Sequence, residues 1–119
     1  MRILAVAIAI SAGIIFSAGE ARSDMSVSKY QKNISSSEKR GMTEFYLEAV
    51  GTGITWTHSA FSANINYSLY CPPRGFTLTG DLARRLLNDF LRKNLGSQVT
   101  EKDSVSFALL KSLVFSYPC

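Results

Sequence analysis

The chain has 119 residues, of which 46% are hydrophobic, and a formal net charge of +4 at pH 7. This length suits one small domain with a single core. The charges are interspersed and form no long block, so the composition does not support a nucleic-acid-binding surface. The chain has one histidine and two widely separated cysteines. That set does not supply the three or four ligands of a zinc site, so we predict no metal and no cofactor.

Residues 1–21 have the pattern of a secretory signal peptide. Arg2 gives a positive start, Ile3 to Phe16 carry no charge, and small residues follow. The pattern predicts export and cleavage after Gly19 or Ala21. A membrane anchor is the alternative, but the apolar run is shorter than the roughly 20 residues that span a bilayer. We expect residues 22–119 to form one exported helical domain.

Two helices are predicted in the first half of this domain. A short one covers about residues 26–34, and a long one runs from residue 36 or 37 to about residue 63. Ser35 and Glu38 have the spacing of a capping box at the start of the long helix. A strand over residues 53–57 is the alternative in its glycine-containing middle, but the three-to-four-residue period continues on both sides and favours a helix.

The long helix is predicted to carry one apolar face. Its members recur at three- and four-residue steps; they are Met42, Phe45, Tyr46, Ala49, Val50, Gly53, Trp56, Ala60 and Phe61. We interpret the small residues Ala49, Gly53 and Ala60 as a stripe where another helix approaches closely. That helix belongs either to the same chain or to a second copy.

A loop and a third helix follow. Pro72 and Pro73 cannot continue a helix. Thr77 or Thr79 is the predicted N-cap of the third helix, which ends at Asn94 and Gly96. Its predicted buried stripe contains Leu82, Leu86, Leu87, Phe90, Leu91 and Leu95.

A fourth helix is predicted near the end of the chain. Thr100 and Asp103 have the spacing of a capping pair, and Tyr117 and Pro118 end the helix. Its predicted buried stripe contains Val105, Ala108, Leu109, Leu113 and Val114, widened by Phe107, Leu110 and Phe115. No strand alternation persists anywhere, so we predict an all-α fold, a small bundle of about four helices with one disulfide.

The disulfide prediction follows from export. In an oxidising compartment, two cysteines in a small domain indicate one bridge, here between Cys71 and Cys119. Closing a loop of about 50 residues contributes about 4 kcal/mol in the chain-entropy model and holds a terminus that would otherwise fray. An intermolecular bridge is the alternative.

We predict no catalytic residue. His58 and Cys71 could pair as base and nucleophile, but the disulfide uses Cys71. Glu44 and Glu48 lie one helical turn apart, and we interpret them as a solvated face rather than a carboxylate pair framing a sugar. No phosphate loop or hydrolase elbow occurs. The domain is therefore expected to act through its surface.

The segments YCPPRGFTLTGDLARRLLNDFL and VSFALLKSLVFSYPC resemble the Rap/Tai family of type VI amidase immunity proteins. In that family a Cys-x-Pro loop leads through a threonine into an amphipathic helix, and the last helix carries Ala-Leu and ends in aromatic-Pro-Cys. The matching positions are Cys71, Pro73, Thr77 or Thr79, Leu82, Leu91, Ala108, Leu109, Tyr117, Pro118 and Cys119. The resemblance covers roughly residues 38–119. It departs at Asp81, where the family has Gln, and in lacking further cysteines that many members carry.

This resemblance implies an all-helical, commonly dimeric protein of the Gram-negative periplasm. Such proteins bind an injected amidase effector that cuts peptidoglycan crosslinks, and they occlude its Cys-His cleft. A contact through Ala49, Gly53 and Ala60 would suit the dimer. No nucleic acid, and no membrane for the mature form, is expected among the partners.

Two loops are candidates for entering the toxin cleft, residues 72–76 and residues 94–99. We favour the second. Its predicted partner-binding residues combine cationic and hydrogen-bonding side chains around a glycine; they are Arg92, Lys93, Asn94, Gly96, Ser97 and Gln98. The alternative function is a small periplasmic chaperone of the acid-stress type. Such chaperones are rich in acids, whereas this chain has nine acidic and thirteen basic residues.

Overall fold

The computed structural model describes residues 24–65 and 67–119, which form helices and no sheet. The helices are α1 (Val27–Ser35), α2 (Arg40–Ile65), α3 (Gly80–Asn94) and α4 (Val105–Ser116). The predicted all-α class is confirmed, and residues 53–57 are helical rather than extended. The predicted signal peptide, residues 1–21, lies outside the described residues.

The core lies where α2, α3 and α4 meet. It is built around Leu47 of α2, Leu87 of α3, and Leu109 of α4, all fully buried. In α3 the predicted stripe is confirmed for Leu87, Phe90 and Leu91, while Leu82 and Leu86 are half-buried and Leu95 is exposed. α1 closes one side with Tyr30, whose buried hydroxyl donates to Asn88 Oδ1 at 2.6 Å. The buried phenol thus keeps a hydrogen-bond partner.

The start of α3 packs closely against α2 at two glycines. A Cβ on Gly51 would lie 2.7 Å from Leu78 Cδ2, and a Cβ on Gly80 would lie 2.5 Å from the carbonyl oxygen of Glu44. Nothing lies within 4 Å of the corresponding position on Gly53. Close approach within the chain therefore occurs at Gly51 and not at Gly53, which leaves a second copy as the helix that the predicted stripe of Ala49, Gly53 and Ala60 would meet.

The apolar face predicted for α2 does not face the core, so that prediction is wrong. Thr43, Leu47 and Gly51 point to the core, whereas Met42 and Trp56 are both 74% exposed. The other members that lie exposed are Phe45, Ala49, Gly53, Ala60 and Phe61, and those that are half-buried are Tyr46 and Val50. α2 has apolar residues on two sides, and periodicity does not say which of them meets α3.

The predicted start of α2 is wrong, whereas the predicted start of α3 is confirmed. The Ser35 hydroxyl donates to the carbonyl of Gln31 at 2.8 Å. The predicted capping box is therefore absent, and α2 begins only at Arg40. Thr79, one of the two predicted candidates, caps α3, because its Oγ1 accepts the N–H of Leu82 at 3.2 Å.

α4 begins later than its predicted capping pair. Ser104 is the N-cap, and its hydroxyl accepts the N–H of Phe107 at 3.3 Å. Thr100 and Asp103 do bond to each other, with the Thr100 N–H donating to Asp103 Oδ2 at 2.7 Å. That bond closes a turn ahead of the helix rather than the helix itself.

The N-terminal ends of α1 and α4 are joined to each other. The N–H groups of Val27 and Ser28 donate to carbonyls of Asp103 and Glu101 at 2.9 and 3.0 Å. In return, the N–H of Val105 donates to the carbonyl of Met25 at 2.7 Å. First-turn N–H groups have no partner inside their own helix, so each helix start is satisfied by the chain leading into the other.

The disulfide between Cys71 and Cys119 forms within the chain, with Cα atoms 4.9 Å apart. The prediction of an intramolecular bridge is confirmed. The Cys71 N–H also donates to the Tyr117 carbonyl at 2.7 Å, and the ring of Phe76 packs edge-on against Tyr117. Across the described residues, the helices lack the combination of length and apolar character that crossing a membrane would need.

Candidate functional site

The residues predicted to bind a partner lie together at the C-terminal end of α3. Arg92, Lys93 and Asn94 form its last turn, and Gly96, Ser97 and Gln98 lie in the tight turn that follows. Apart from half-buried Asn94, these residues are exposed. We refer to residues 94–99 as the α3–α4 turn.

The α3–α4 turn is closed by its own backbone. The N–H groups of Ser97 and Gln98 donate to the Asn94 carbonyl at 3.1 and 2.9 Å, and the Gly96 N–H donates to the Val99 carbonyl at 2.7 Å. Gly96 has a φ of +90°, a conformation that side chains disfavour and glycine permits. Val99 is buried and anchors the turn. The turn thus has a defined shape before any partner binds.

The polar side chains of the turn differ in availability. The Asn94 amide donates to the carbonyl of Phe90 at 2.9 Å, and the Ser97 hydroxyl donates to the Asn94 carbonyl at 3.1 Å. The Gln98 side chain makes no hydrogen bond within the described part of the chain. Its amide is therefore the group most free to bond a partner, whereas Asn94 mainly holds the turn.

The cations beside the turn share one anion. Arg92 and Lys93 both pair with Asp89, and the Lys93 Nζ lies 3.2 Å from Oδ2. Hydrogen bonding from Lys93, with the charges of both cations, holds the pKa of Asp89 below its usual value. Lys111 of α4 donates from Nζ to the Gln98 carbonyl at 2.9 Å. This end of the molecule stays net positive, which favours the approach of an acidic partner more than it stabilises the fold.

Next to the turn, α4 presents apolar side chains to solvent. Phe107, Val114 and Phe115 are 44%, 40% and 52% exposed, although the sequence pattern placed them in the buried stripe. Lys111 Nζ lies 4.9 Å from the ring centroid of Phe107, and Lys93 Nζ lies 5.9 Å from that of Phe115. α4 is apolar nearly all round, so its pattern cannot indicate which side faces outward. Because a helix without a polar side must expose some apolar side chains in a small domain, this pattern could have indicated an exposed contact surface on α4.

The rival loop, residues 72–76, is also held rigidly. The disulfide fixes Cys71, and the Phe76 N–H donates to the Pro73 carbonyl at 3.2 Å. Gly75 has a φ of +75°. This loop offers Arg74 but no amide or hydroxyl side chain comparable to Gln98. Both loops have a backbone of defined shape, so backbone geometry favours neither as the partner-binding loop. The side chains favour residues 94–99, because that loop offers the Gln98 amide.

The other titratable residues considered from the sequence do not gather into one site. His58 stacks on Tyr70 with ring centroids 4.2 Å apart, and its buried Nε2 has no hydrogen-bond partner in the described residues. Cys71 has no thiol to offer it. Glu44 pairs with Arg84 at 2.9 Å, and Glu48 is exposed. Within residues 24–65 and 67–119, no group of three potential metal ligands comes together.

Comparison with known protein families, curated proteins and solved structures finds no match to this chain. The candidate site is therefore described by the geometry of the residues that form it.

Proposed function

We propose that the protein is a periplasmic immunity protein that binds a type VI secreted peptidoglycan amidase and occludes its active site, protecting the producing cell and its siblings. The α3–α4 turn is the observation that carries this proposal. It is exposed, its shape is held by its own backbone hydrogen bonds, and it presents the Gln98 side-chain amide to solvent. A loop that is rigid before binding loses little conformational entropy on entering a cleft.

Two further features support the proposal. The Cys71–Cys119 bridge suits an oxidising compartment such as the periplasm, in keeping with the signal-peptide pattern. The cations around the turn, Lys93 and Lys111, would guide an acidic partner surface to it. Inhibition in this scheme needs no chemistry from the immunity protein, only a stable plug in the catalytic cleft.

The loop assignment is tested by inhibition of the amidase that the oxidised protein retains from periplasmic extract. We expect Ser97→Ala combined with Gln98→Ala to weaken inhibition about tenfold or more, since the bond from the Gln98 amide to the partner and the Ser97 bond that holds the turn, at about 1 kcal/mol each, are both lost. Arg74→Ala in the rival loop is the control and should inhibit like the wild type. The opposite pattern would transfer the role to residues 72–76. Unchanged inhibition by both variants would remove both loops from the contact.

The proposal includes a homodimer formed through the outer side of α2. This side is a continuous, solvent-exposed apolar strip; its members are Met42, Phe45, Ala49, Gly53, Trp56 and Ala60. Large exposed apolar patches mark interaction surfaces. The small residues between Phe45 and Trp56 would let two such helices approach closely about a two-fold axis.

The dimer is tested with Trp56, the sole tryptophan. Burying its side chain between two copies should shift its emission to shorter wavelength as protein concentration rises, in step with the mass from sedimentation. Ala49→Glu should abolish both changes by placing a charge inside the contact. Ser59→Glu, on the same helix and exposed but off the strip, should change neither. A wild-type protein that stays monomeric at all concentrations would contradict the dimer.

The exposed apolar side chains of α2 and α4 also favour a second candidate, a periplasmic chaperone that binds unfolded chains. The two functions differ in partner number and in pH response. Retention of one stoichiometric amidase supports immunity, whereas suppression of aggregation of many unrelated proteins, triggered by acid, supports the chaperone.

A further inference from the structure

Two apolar grooves meet along α4. The first, of about 490 Å³, lies between α2 and α4, where Ile54 and Phe61 line it. The second, of about 410 Å³, lies toward the end of α3, where Phe90 and Phe115 line it. Leu69 and Leu110 line both. We call the combined depression the α4 groove.

The α4 groove reaches the α3–α4 turn. Asn94 and Gln98 line its second half together with Lys111 of α4, whose Nζ donates to the Gln98 carbonyl. A partner that covers the turn therefore covers this end of the groove as well. The two surfaces are parts of one contact area, although they come from different segments of the chain.

The charges around the α4 groove are unequal at its two ends. Among the described residues that line it, Lys111 is the one cation and none is a carboxylate, and Lys93 lies beside Phe115 at the same end. At the other end, the hydroxyl of Ser106 donates to the carboxylate of Asp24. An occupant with an apolar body and a carboxylate would place that carboxylate at the Lys111 end.

The dimensions of the groove fit a short helical segment. From Ser106 to Phe115 α4 rises about 13–14 Å. Apolar side chains at positions i, i+4 and i+7 of a docked helix extend over about 10 Å. Two turns of an amphipathic helix would therefore fill the groove.

We infer that the α4 groove receives an amphipathic helix on the surface of the amidase effector, with its apolar side chains against Leu69 and Leu110 and a carboxylate against Lys111. This inference rests on the proposed function and adds the chemistry of the partner surface. The turn then closes the catalytic cleft, and the groove supplies the apolar contact area that a polar turn of this size lacks.

The test compares the affinity of variants for the amidase, measured by titration calorimetry with the oxidised mature protein. Val114→Glu places a negative charge on the exposed groove wall and should weaken binding by about tenfold or more. Ile65→Glu makes the same change at an exposed apolar residue outside the groove and should bind like the wild type. Thermal melting of each variant establishes that it is folded.

Variants of Lys111 provide a second, independent test of the inference. Lys111→Glu should weaken binding more at low salt than at high salt, because an opposing charge has been reversed, whereas Lys111→Arg should retain most of the affinity. This test stands even where Val114→Glu does not fold. A purely structural role for Lys111 would not give this salt dependence.

The outcomes separate the inference from the proposed function. A wild type that binds no amidase removes both. Wild-type affinity in Val114→Glu and Lys111→Glu overturns the groove and leaves the immunity function in place. Loss of self-association without loss of amidase affinity would assign the groove to a second copy of this chain and likewise overturn the inference.

Discussion

Asp24 links three helices through one carboxylate. Its Oδ1 accepts the hydroxyl of Tyr46 on α2 at 2.6 Å, its other oxygen accepts the hydroxyl of Ser106 on α4, and it lies just ahead of α1. Burial raises the pKa of Asp24, but hydrogen bonds from Ser106, Tyr46 and Ser104 outweigh it, so the pKa lies below its usual value. Burial and the bond to Asp24 raise the pKa of Tyr46 to about 12.

This lowered pKa predicts a pH-dependent contribution to stability. The contribution is fully present above the unfolded-state pKa of Asp24 and is lost as the pH falls through the lower folded-state pKa. We expect Asp24→Asn to reduce the free energy of unfolding at neutral pH, and the difference from the wild type to shrink in strong acid. Urea unfolding across that pH range measures it. Glu101→Gln, at an exposed carboxylate, is the control, and a pH-independent difference for Asp24→Asn would contradict the assignment.

Single helices show why part of the fold was predictable. α3 has one apolar and one charged side, so its stripe around Leu87, Phe90 and Leu91 could be predicted before its neighbours were known. α2 and α4 are apolar on more than one side. Their inward faces depend on where Gly51 meets Leu78 and where Leu109 meets the core, and these contacts arise only when the helices pack.

The candidate site also has one part that the sequence could predict and one part that it could not. The α3–α4 turn is one continuous segment with recognisable residues, so its members could be predicted together. The α4 groove joins Leu69 from a loop with Leu110 from α4, and no local pattern relates two residues so far apart in the chain. Such a surface can be found only from the tertiary structure.

The cap of α3 gives a prediction at the level of one element. Thr79→Ala removes the acceptor for the Leu82 N–H and should lower the free energy of unfolding by about 1 kcal/mol. Thr77→Ala, the other candidate from the sequence, is exposed and should leave it unchanged. Chemical denaturation of both variants compares them directly, and equal losses would show that Thr79 has no special role.

At the scale of the whole molecule, the disulfide leads to a prediction about stability. The bridge joins residues 48 apart in sequence and attaches the C-terminus to the loop ahead of α3. We expect Cys71→Ser combined with Cys119→Ser to lower the free energy of unfolding by about 4 kcal/mol, mainly because the unfolded chain regains freedom.

Denaturation with and without reductant provides the control for this prediction. Reductant should bring the wild type to the stability of the double variant and should leave the variant itself unaffected. A double variant as stable as the oxidised wild type would mean that the bridge does not constrain the unfolded chain.

The joined starts of α1 and α4 have a consequence for how the molecule opens. The Val27, Ser28 and Val105 amides are each protected by a carbonyl from the segment leading into the opposite helix. Neither helix start can release its amides to solvent while the other stays in place, so the two form one cooperative opening unit. Their hydrogen-exchange protection factors should match, although these amides lie near opposite ends of the described chain.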